Sequence, residues 1–347
     1  MSTHERYMRR CLQLAALGAG SVAPNPMVGA VLVYRDLVIG EGYHQRYGQA
    51  HAEVHCIRDA EERFAAGQWA NLGFADAGAL LAASTLYVSL EPCAHHGKTP
   101  PCADLVVAKG IRRVVVGVRD PFPEVNGKGI DKLLRAGIEV ICPVLEEDCM
   151  ALNRRFFTFH TKHRPYIILK WAQSADGCIG REGQRIAVSN AWSKRLVHRW
   201  RSEEASILVG GHTARVDDPA LTNRYWPGPS PLRLVLDPDG VLTPGMKVLD
   251  GEAPTVVYPT RDLREVLSDL HRRSAQSVLV EGGARLLTSF IAGGLFDEIR
   301  VIRSETVHLP GGIPAPVMPV VPLQRSFALG DDRVFIYSSF VTHGYWG

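Results

Sequence analysis

RRVVVGVRDPFPEVNGKGIDKLLRAGIEVICPV, residues 112–144, carries the fold class within one short span. RRVVVGV (112–118) is a β-branched run of strand length. GIDKLLRAG (129–137) spaces its apolar residues as a helix does and closes on glycine, and IEVICPV (138–144) is β-branched again. Strand–helix–strand order predicts a largely parallel sheet with helices on its faces. The alternation continues upstream. ERYMRRCLQLAALG (5–18) reads as a helix, VGAVLVY (28–34) and LVIGEGY (37–43) as a hairpin around Arg35-Asp36, and AEVHCIRDAEERF (52–64) as a helix. TLYVSL (85–90) reads as a strand and CADLVVAKG (102–110) as a helix closed by glycine.

Downstream of 144 lies a charged helical stretch, LEEDCMALNRRFF (145–157), then TKHRP, then a second alternating system. Its strands are YIILKWA (166–172), SILVGG (206–211), LRLVLD (232–237), TVVYP (255–259) and SVLVEGG (277–283), separated by helical segments. At 347 residues the chain is long enough for two domains, each of about 150–200 residues. Pro165 disfavours helix just before it, which gives expected bounds of 1–148 and 165–347 around a linker at 149–164.

Composition excludes several classes. The chain is 46% hydrophobic and 22% charged, as ordinary soluble proteins are. No apolar run approaches the ~18 residues of a membrane span. The N-terminal MSTHERYMRR puts charge where a secretory leader needs apolar residues, so a cytoplasmic protein is expected. A net charge of +3 gives no footing for nucleic acid. Seven cysteines, an odd number, favour reduced thiols over a disulfide framework.

HAEVH (51–55) has two histidines four apart, as in the zinc-protease helix H-E-x-x-H, but its glutamate sits one place too late. Further on, LEPCAHHGKTPPC (90–102) places Cys93 just after a strand and Cys102 at a helix start. The partial positive charge of a helix N-terminus favours thiolate over thiol. Histidine plus two thiolates is a catalytic zinc set, with a fourth position left for water. Glu53, near but off the metal, can move the proton. Zinc base deaminases carry H-x-E…P-C-x-x-C; here eight residues separate the two cysteines. A structural zinc site is the alternative, although such sites normally close with four protein ligands. His55 reads as a packing or surface histidine, and Cys11, Cys56, Cys142, Cys149 and Cys178 as core filler.

PNPMVGAVLV (24–33), HAEV (51–54), LEPCAHHGKTPPC (90–102) and DPFPEVNGKGI (120–130) together resemble the deaminase half of the bifunctional riboflavin-biosynthesis deaminase/reductase family. The resemblance implies a cytidine-deaminase-like α/β/α sandwich in which His51, Cys93 and Cys102 hold zinc and Glu53 shuttles the proton. It also implies that Asn25, His44, His95, Lys98 and Asp120 contact the pyrimidine and its ribose phosphate. Where the family often has asparagine this chain has Phe122, which removes one potential polar contact.

In the second half, VLVEGGARLLTSFIAGGLFDEI (278–299) is a strand, a glycine pair and a helix. Such a turn brings backbone close to a ligand at a helix start, a natural anion site. It lacks G-x-G-x-x-G, so no Rossmann fold is expected. KWAQSADG (170–177), VHRWRSEEASILVGGHTARVDDPALTNR (197–224), LRLVLD and VEGG (280–283) resemble the reductase half of the same family. That resemblance implies a dihydrofolate-reductase-like α/β domain that reduces the ribosyl sugar with NADPH. Arg201, Leu221, Arg224 and Glu281 would bind the substrate, with Lys170 a polar or phosphate contact. Ala172, Thr213, Asp217 and the turn Gly282, Gly283, Ala284, Arg285, Leu286 and Leu287 would bind NADPH. Read without the resemblance, Arg201 is a solvated helix charge and Asp217-Asp218-Pro219 a turn. The family's serine-x-tryptophan is replaced by Arg185-Ile186-Ala187, and 303–319 departs from its pattern. The partner expected is a small phosphoribosylated pyrimidine, with no nucleic acid, no membrane, and self-association as a dimer or tetramer. The rival function is a zinc deaminase of nucleic-acid bases with a non-catalytic C-terminal half.

Overall fold

The computed structural model describes residues 2–95 and 100–340. The chain divides between Thr161 and Lys162 into two compact units.

The first unit contains α1 (Thr3–Ala16), β1 (Gly29–Tyr34), β2 (Leu37–Tyr43), α2 (Ala52–Ala65), α3 (Ala77–Ala82) and β3 (Thr85–Val88). It continues through α4 (Cys102–Ala108), β4 (Arg113–Val116), α5 (Lys128–Arg135), β5 (Glu139–Ile141), α6 (Glu146–Leu152) and α7 (Arg154–Lys162). The five strands lie in the order β2-β1-β3-β4-β5. β3, β4 and β5 are parallel, as the strand–helix–strand pattern predicts; β2 and β1 run antiparallel to their neighbours. Arg35 and Asp36 have φ of 43° and 65°, so the β1–β2 hairpin turns through two left-handed residues, the twist that suits a two-residue loop.

Alternation along the strands sorts the core into two layers. Leu32, Val88, Val114 and Val116 face α2, α3, α4 and α5; Val31, Val33, Tyr87 and Val115 face α1, α6 and α7. The result is an α/β/α sandwich. The stretch expected as a linker, 149–164, belongs to the first unit instead: the helix expected over 145–157 forms as α6 and α7, and Cys149, Leu152, Phe156 and Phe157 pack into that unit's core. Its charged residues hid the apolar face that docks it. Of the five cysteines read as core filler, Cys11, Cys56 and Cys149 are buried, Cys178 is half-buried and Cys142 is exposed.

Two glycines seat the helix that matters for the site. A Cβ on Gly42 would lie 2.3 Å from the Cys56 nitrogen, and one on Gly40 would lie 2.5 Å from the Cys56 carbonyl oxygen. Only glycine lets α2 lie so close on β2.

The second unit contains β6 (Tyr166–Gln173), β7 (Cys178–Gly180), α8 (Ala191–Glu203), β8 (Ser206–Gly210), α9 (Gly211–Asp217), β9 (Leu232–Leu236) and β10 (Thr255–Tyr258). Then come α10 (Leu263–Arg272), β11 (Ser277–Val280), α11 (Ala284–Ala292), β12 (Glu298–Ser304), β13 (Ile313–Pro314), β14 (Leu323–Leu329) and β15 (Asp332–Ser338). Eight strands lie in the order β10-β9-β8-β11-β6-β12-β15-β14, parallel from β10 to β12 and antiparallel at β15 and β14. Ile167, Leu169 and Trp171 face α10 and α11; Tyr166 and Ile168 face α8. No helix among the described residues is long and apolar enough to cross a membrane.

Candidate active sites

His51 is the N-cap of α2, with φ −80° and ψ 170°, and its side chain makes no capping bond, so the imidazole is free for other partners. Cys93 lies on the loop after β3, and Cys102 opens α4 behind Pro101. The Cys93 and Cys102 Sγ atoms lie 3.5 and 3.3 Å from His51 Nδ1, and the Cys102 backbone N–H donates to Cys93 Sγ at 3.3 Å. All three ligand atoms fall within 4.8 Å of one another. Around tetrahedral zinc, nitrogen and sulfur ligands sit about 3.6 Å apart, so these residues fit the ion. Among the described residues no fourth side chain joins the group, and His55 is not part of it.

The electrostatics agree. Hydrogen bonding from the Cys102 thiol and from His51, against burial, drives the Cys93 thiol down to about 4. Cys102 is pushed well up by the adjacent Cys93 and by burial. The two opposite shifts favour the proton on Cys102 and the negative charge on Cys93, the polarity a cation site needs. Glu53, in the first turn of α2, is only 3% exposed, and burial raises its carboxyl pKa against the opposing pull of His51.

Of the other expected deaminase residues, Asn25, His44 and Asp120 lie near the cluster. His44 is buried and lies edge-on to His51 at 5.3 Å between centroids. Its Nδ1–H is assigned as donating to the Ala50 carbonyl at 3.1 Å, leaving Nε2 to accept from the Asn25 amide at 3.2 Å. Burial lowers its pKa, which favours that neutral form. Phe122 fills the place of a polar residue with aromatic contacts, at 5.8 Å to His95 and 5.1 Å to His160. Asp120 is buried and accepts the Phe122 N–H at 2.8 Å; burial raises its pKa to about 7. Lys98 lies outside the described residues. Sequence reasoning missed Glu91, whose buried carboxylate accepts four backbone N–H groups. Its only sequence signal was its place in LEPC.

In the second unit, β6, α8 and β11 bring Lys170, Arg201 and Glu281 together. Arg201 Nε and Nη2 donate to the two Glu281 oxygens at 3.0 and 2.8 Å, and Lys170 Nζ lies 3.7 Å from Oε2. Arg201 is thus a paired cation whose side chain is only 12% exposed, and not a solvated helix charge. Arg224 is exposed and donates to Thr222 Oγ1 at 2.7 Å, while its backbone N–H donates to His198 Nδ1 at 2.9 Å. His198 was not among the expected residues; it is 2% exposed, and burial and the charges of Arg201 and Arg224 lower its pKa to about 4. Leu221 has φ 56° and its side chain packs in the core with Val209 and Val235, so only its main chain is available to a ligand. Leu287 is likewise core.

Thr213 and the glycine turn meet: the Gly283 N–H donates to Thr213 Oγ1 at 3.1 Å. α11 begins beyond Gly283 without a side-chain cap. Asp217 ends α9, half-buried, with its pKa raised by burial. Ala172 lies half-buried on β6. The altered 185–190 segment has a structural use: Asn190 caps α8 and its amide holds Leu329 and Asp331.

A His–Cys–Cys centre with a buried glutamate on an α/β/α sandwich defines the class of zinc-dependent deaminases, here joined to a second, mixed α/β unit. Family comparison places the chain within that class. Residues 1–118 match the cytidine and deoxycytidylate deaminase zinc-binding region, and residues 165–304 match the RibD C-terminal domain. The riboflavin biosynthesis protein RibD of Aquifex aeolicus is 40% identical over 97% of this chain and 98% of its own length. The Escherichia coli protein of that name is 34% identical over 86% of each chain. A deaminase/reductase structure from Thermotoga maritima superposes with a TM-score of 0.84 at 33% identity, covering 96% of this chain and 98% of that one. The chain belongs to the RibD family, the bifunctional deaminase/reductases of riboflavin biosynthesis, which use zinc and NADPH. These matches do not favour the nucleic-acid base deaminase.

Proposed function

We propose that the first unit hydrolyses the amino group from 2,5-diamino-6-(5-phosphoribosylamino)pyrimidin-4-one, and that the second reduces the ribosyl chain of the product to ribityl. His51, Cys93 and Cys102 hold the zinc. Bound there, zinc lowers the pKa of a water from 15.7 toward about 7, which provides a nucleophile at neutral pH. Glu53 takes the water's proton and delivers it to the ring nitrogen, and ammonia leaves. The observation that carries this reading is the convergence of three ligand atoms within 4.8 Å beside a carboxyl that is 3% exposed. Asn25, His44, His95, Lys98 and Asp120 orient the pyrimidine and its ribose phosphate.

Bound in the second unit, NADPH would supply the hydride for C1′ of the sugar, and a proton from solvent would go to the ring oxygen released as the chain opens. Lys170, Arg201 and Glu281 form a polar floor for the sugar, and the exposed Arg224 is a cation available to the phosphate. The main chain at Leu221 adds a substrate contact. Ala172, Thr213, Asp217 and the Gly282–Leu287 turn hold the cofactor, with the uncapped start of α11 suited to its phosphates. We also read the protein as cytoplasmic and self-associating, as a dimer or tetramer; the exposed edge strand β14 supports the latter.

A coupled assay tests the reading, with zinc quantified and ammonia release and NADPH oxidation followed in parallel from the diaminopyrimidine substrate. Glu53→Gln is expected to keep stoichiometric zinc while ammonia release falls by about 10²–10⁴-fold. A near wild-type rate in that variant removes Glu53 from proton transfer. Folded protein that deaminates but never oxidises NADPH removes the reductase half.

A further inference from the structure

Glu91 lies two residues before Cys93 and takes no part in the chemistry described above. Its side chain is 3% exposed. Oε2 accepts the N–H groups of Asp120 at 3.2 Å and Gly127 at 3.0 Å; Oε1 accepts those of Gly129 at 2.9 Å and Ile130 at 3.1 Å. Gly129 and Ile130 lie in the first turn of α5, where unpaired N–H groups and the helix dipole favour a carboxylate. The neighbouring main chain ties the same two segments together. The Glu91 N–H donates to the Val118 carbonyl at 3.0 Å, and a Cβ on Gly129 would fall 1.9 Å from the Pro92 carbonyl oxygen. The Cys93 carbonyl in turn accepts the Ala103 N–H of α4 at 3.1 Å.

We propose that Glu91 is a positioning residue of the deaminase: its carboxylate locks the Asp120–Ile130 segment to the metal loop and so fixes Asp120 relative to Cys93. A helix cap uses one side-chain oxygen on the first turn. Here both oxygens are used, and one of them reaches Asp120, outside the helix and seven residues ahead of Gly127. Glutamine keeps the shape and one acceptor oxygen, but turns an NH2 group toward two N–H donors. The inference rests on the proposed contact between Asp120 and the substrate.

The test uses the zinc-loaded full-length enzyme carrying Glu91→Gln, Glu91→Asp, Asp120→Asn or Glu91→Gln with Asp120→Asn. Deaminase kcat and KM, zinc content and the visible spectrum of the cobalt-substituted enzyme are measured. Reduction of separately supplied deaminated substrate serves as a control within the same chain. Glu91→Gln is expected to retain zinc and reductase activity but to lose about 10²-fold in deaminase kcat/KM, the cost of misplacing a substrate-orienting group by an ångström. Its cobalt spectrum should shift, Glu91→Asp should recover part of the loss, and the double variant should be little worse than the poorer single one. Wild-type kinetics in Glu91→Gln overturn the proposal. So do losses that multiply in the double variant, or a lowered melting temperature with unchanged kcat/KM in the folded enzyme. If Glu91→Gln does not fold, Glu91→Asp decides by the same kinetics: a reduced kcat/KM at full zinc supports the proposal, and an unchanged one overturns it. If Asp120→Asn alone has no effect, the substrate contact of Asp120 is wrong, and the cobalt spectrum alone judges the placement of Cys93.

Discussion

Replacing Glu281 by glutamine removes the negative charge from a buried cluster that holds two cations. The Glu281 side chain is 10% exposed, and those of Arg201 and Lys170 are 12% and 13% exposed. Burial pushes the Glu281 carboxyl up, but the charges of Arg201 and Lys170 outweigh it and hold the pKa at about 2, against a reference of 4.5. A carboxyl held low in the folded state contributes stability above its unfolded pKa, and that contribution is lost as pH falls from 4.5 toward 2. The difference between those two values corresponds to about 3 kcal/mol at neutral pH. Breaking a buried pair by removing one partner costs roughly 3–5 kcal/mol, the same range by a separate route. Glu281→Gln is therefore expected to destabilise the second unit by about 3 kcal/mol at neutral pH. The gap from wild type should narrow as pH falls from 4.5 toward 2. Urea unfolding followed by tryptophan fluorescence in a Trp69→Phe background reports mainly on this unit, since Trp171, Trp192, Trp200 and Trp226 lie in it and Trp69 lies in the first. A Glu281→Gln variant within about 1 kcal/mol of wild type at neutral pH would refute the coupling, because surface pairs are worth no more than that.

Cys102→Ser should lose both metal and deamination while the reductase continues; stoichiometric zinc by elemental analysis would contradict the proposed ligand set. His198 is held neutral, at about 4 against 6.5, by burial and then by the charges of Arg201 and Arg224. Its contribution to stability is present above 6.5 and is lost as pH falls toward 4, on the order of 3 kcal/mol. His198→Asn keeps an acceptor for the Arg224 N–H and should flatten the second unit's unfolding curve across that pH window; an unchanged slope would show that His198 does not control it.

The cluster of His51, Cys93 and Cys102 was legible because metal-binding chemistry restricts residue types. A histidine, a glutamate two places on, and two cysteines at helix and loop starts leave few other readings. The parallel strands β3, β4 and β5 were legible because β-branched runs alternate with an amphipathic helix. Strands β12, β14 and β15 and helix α3 escaped the pattern. β14 is an exposed edge strand whose apolar residues, Leu323, Phe327, Ala328 and Leu329, do not alternate. The stretch 149–164 was set apart as a linker, although 145–157 read as helical, because charges such as Arg154 and Arg155 mask Phe156 and Phe157, which carry the docking face. Arg201 could not be distinguished from a surface charge in HRWRSEE, since its partner Glu281 lies far along the chain.

Glu91 and Arg233 escaped reading for a different physical cause. Arg233 is fully buried, yet most of its partners are backbone oxygens: Nη1 donates to the carbonyls of Ala220 at 3.2 Å and Lys247 at 2.9 Å, and to Asp250 Oδ1 at 3.0 Å. It therefore holds the loop that carries Leu221 and Arg224, as His198 does from the other side through the Arg224 N–H. Glu91 performs the same task in the first unit with four N–H groups. A buried ion compensated by main-chain groups leaves no complementary residue type in the sequence, because every residue except proline offers the same N–H and C=O. Such residues stay invisible until the fold closes around them, although a buried charge is tolerated only when it is paired and hydrogen-bonded. Residues that touch the substrate are marked by their chemistry. Those that hold them in place are marked only by burial.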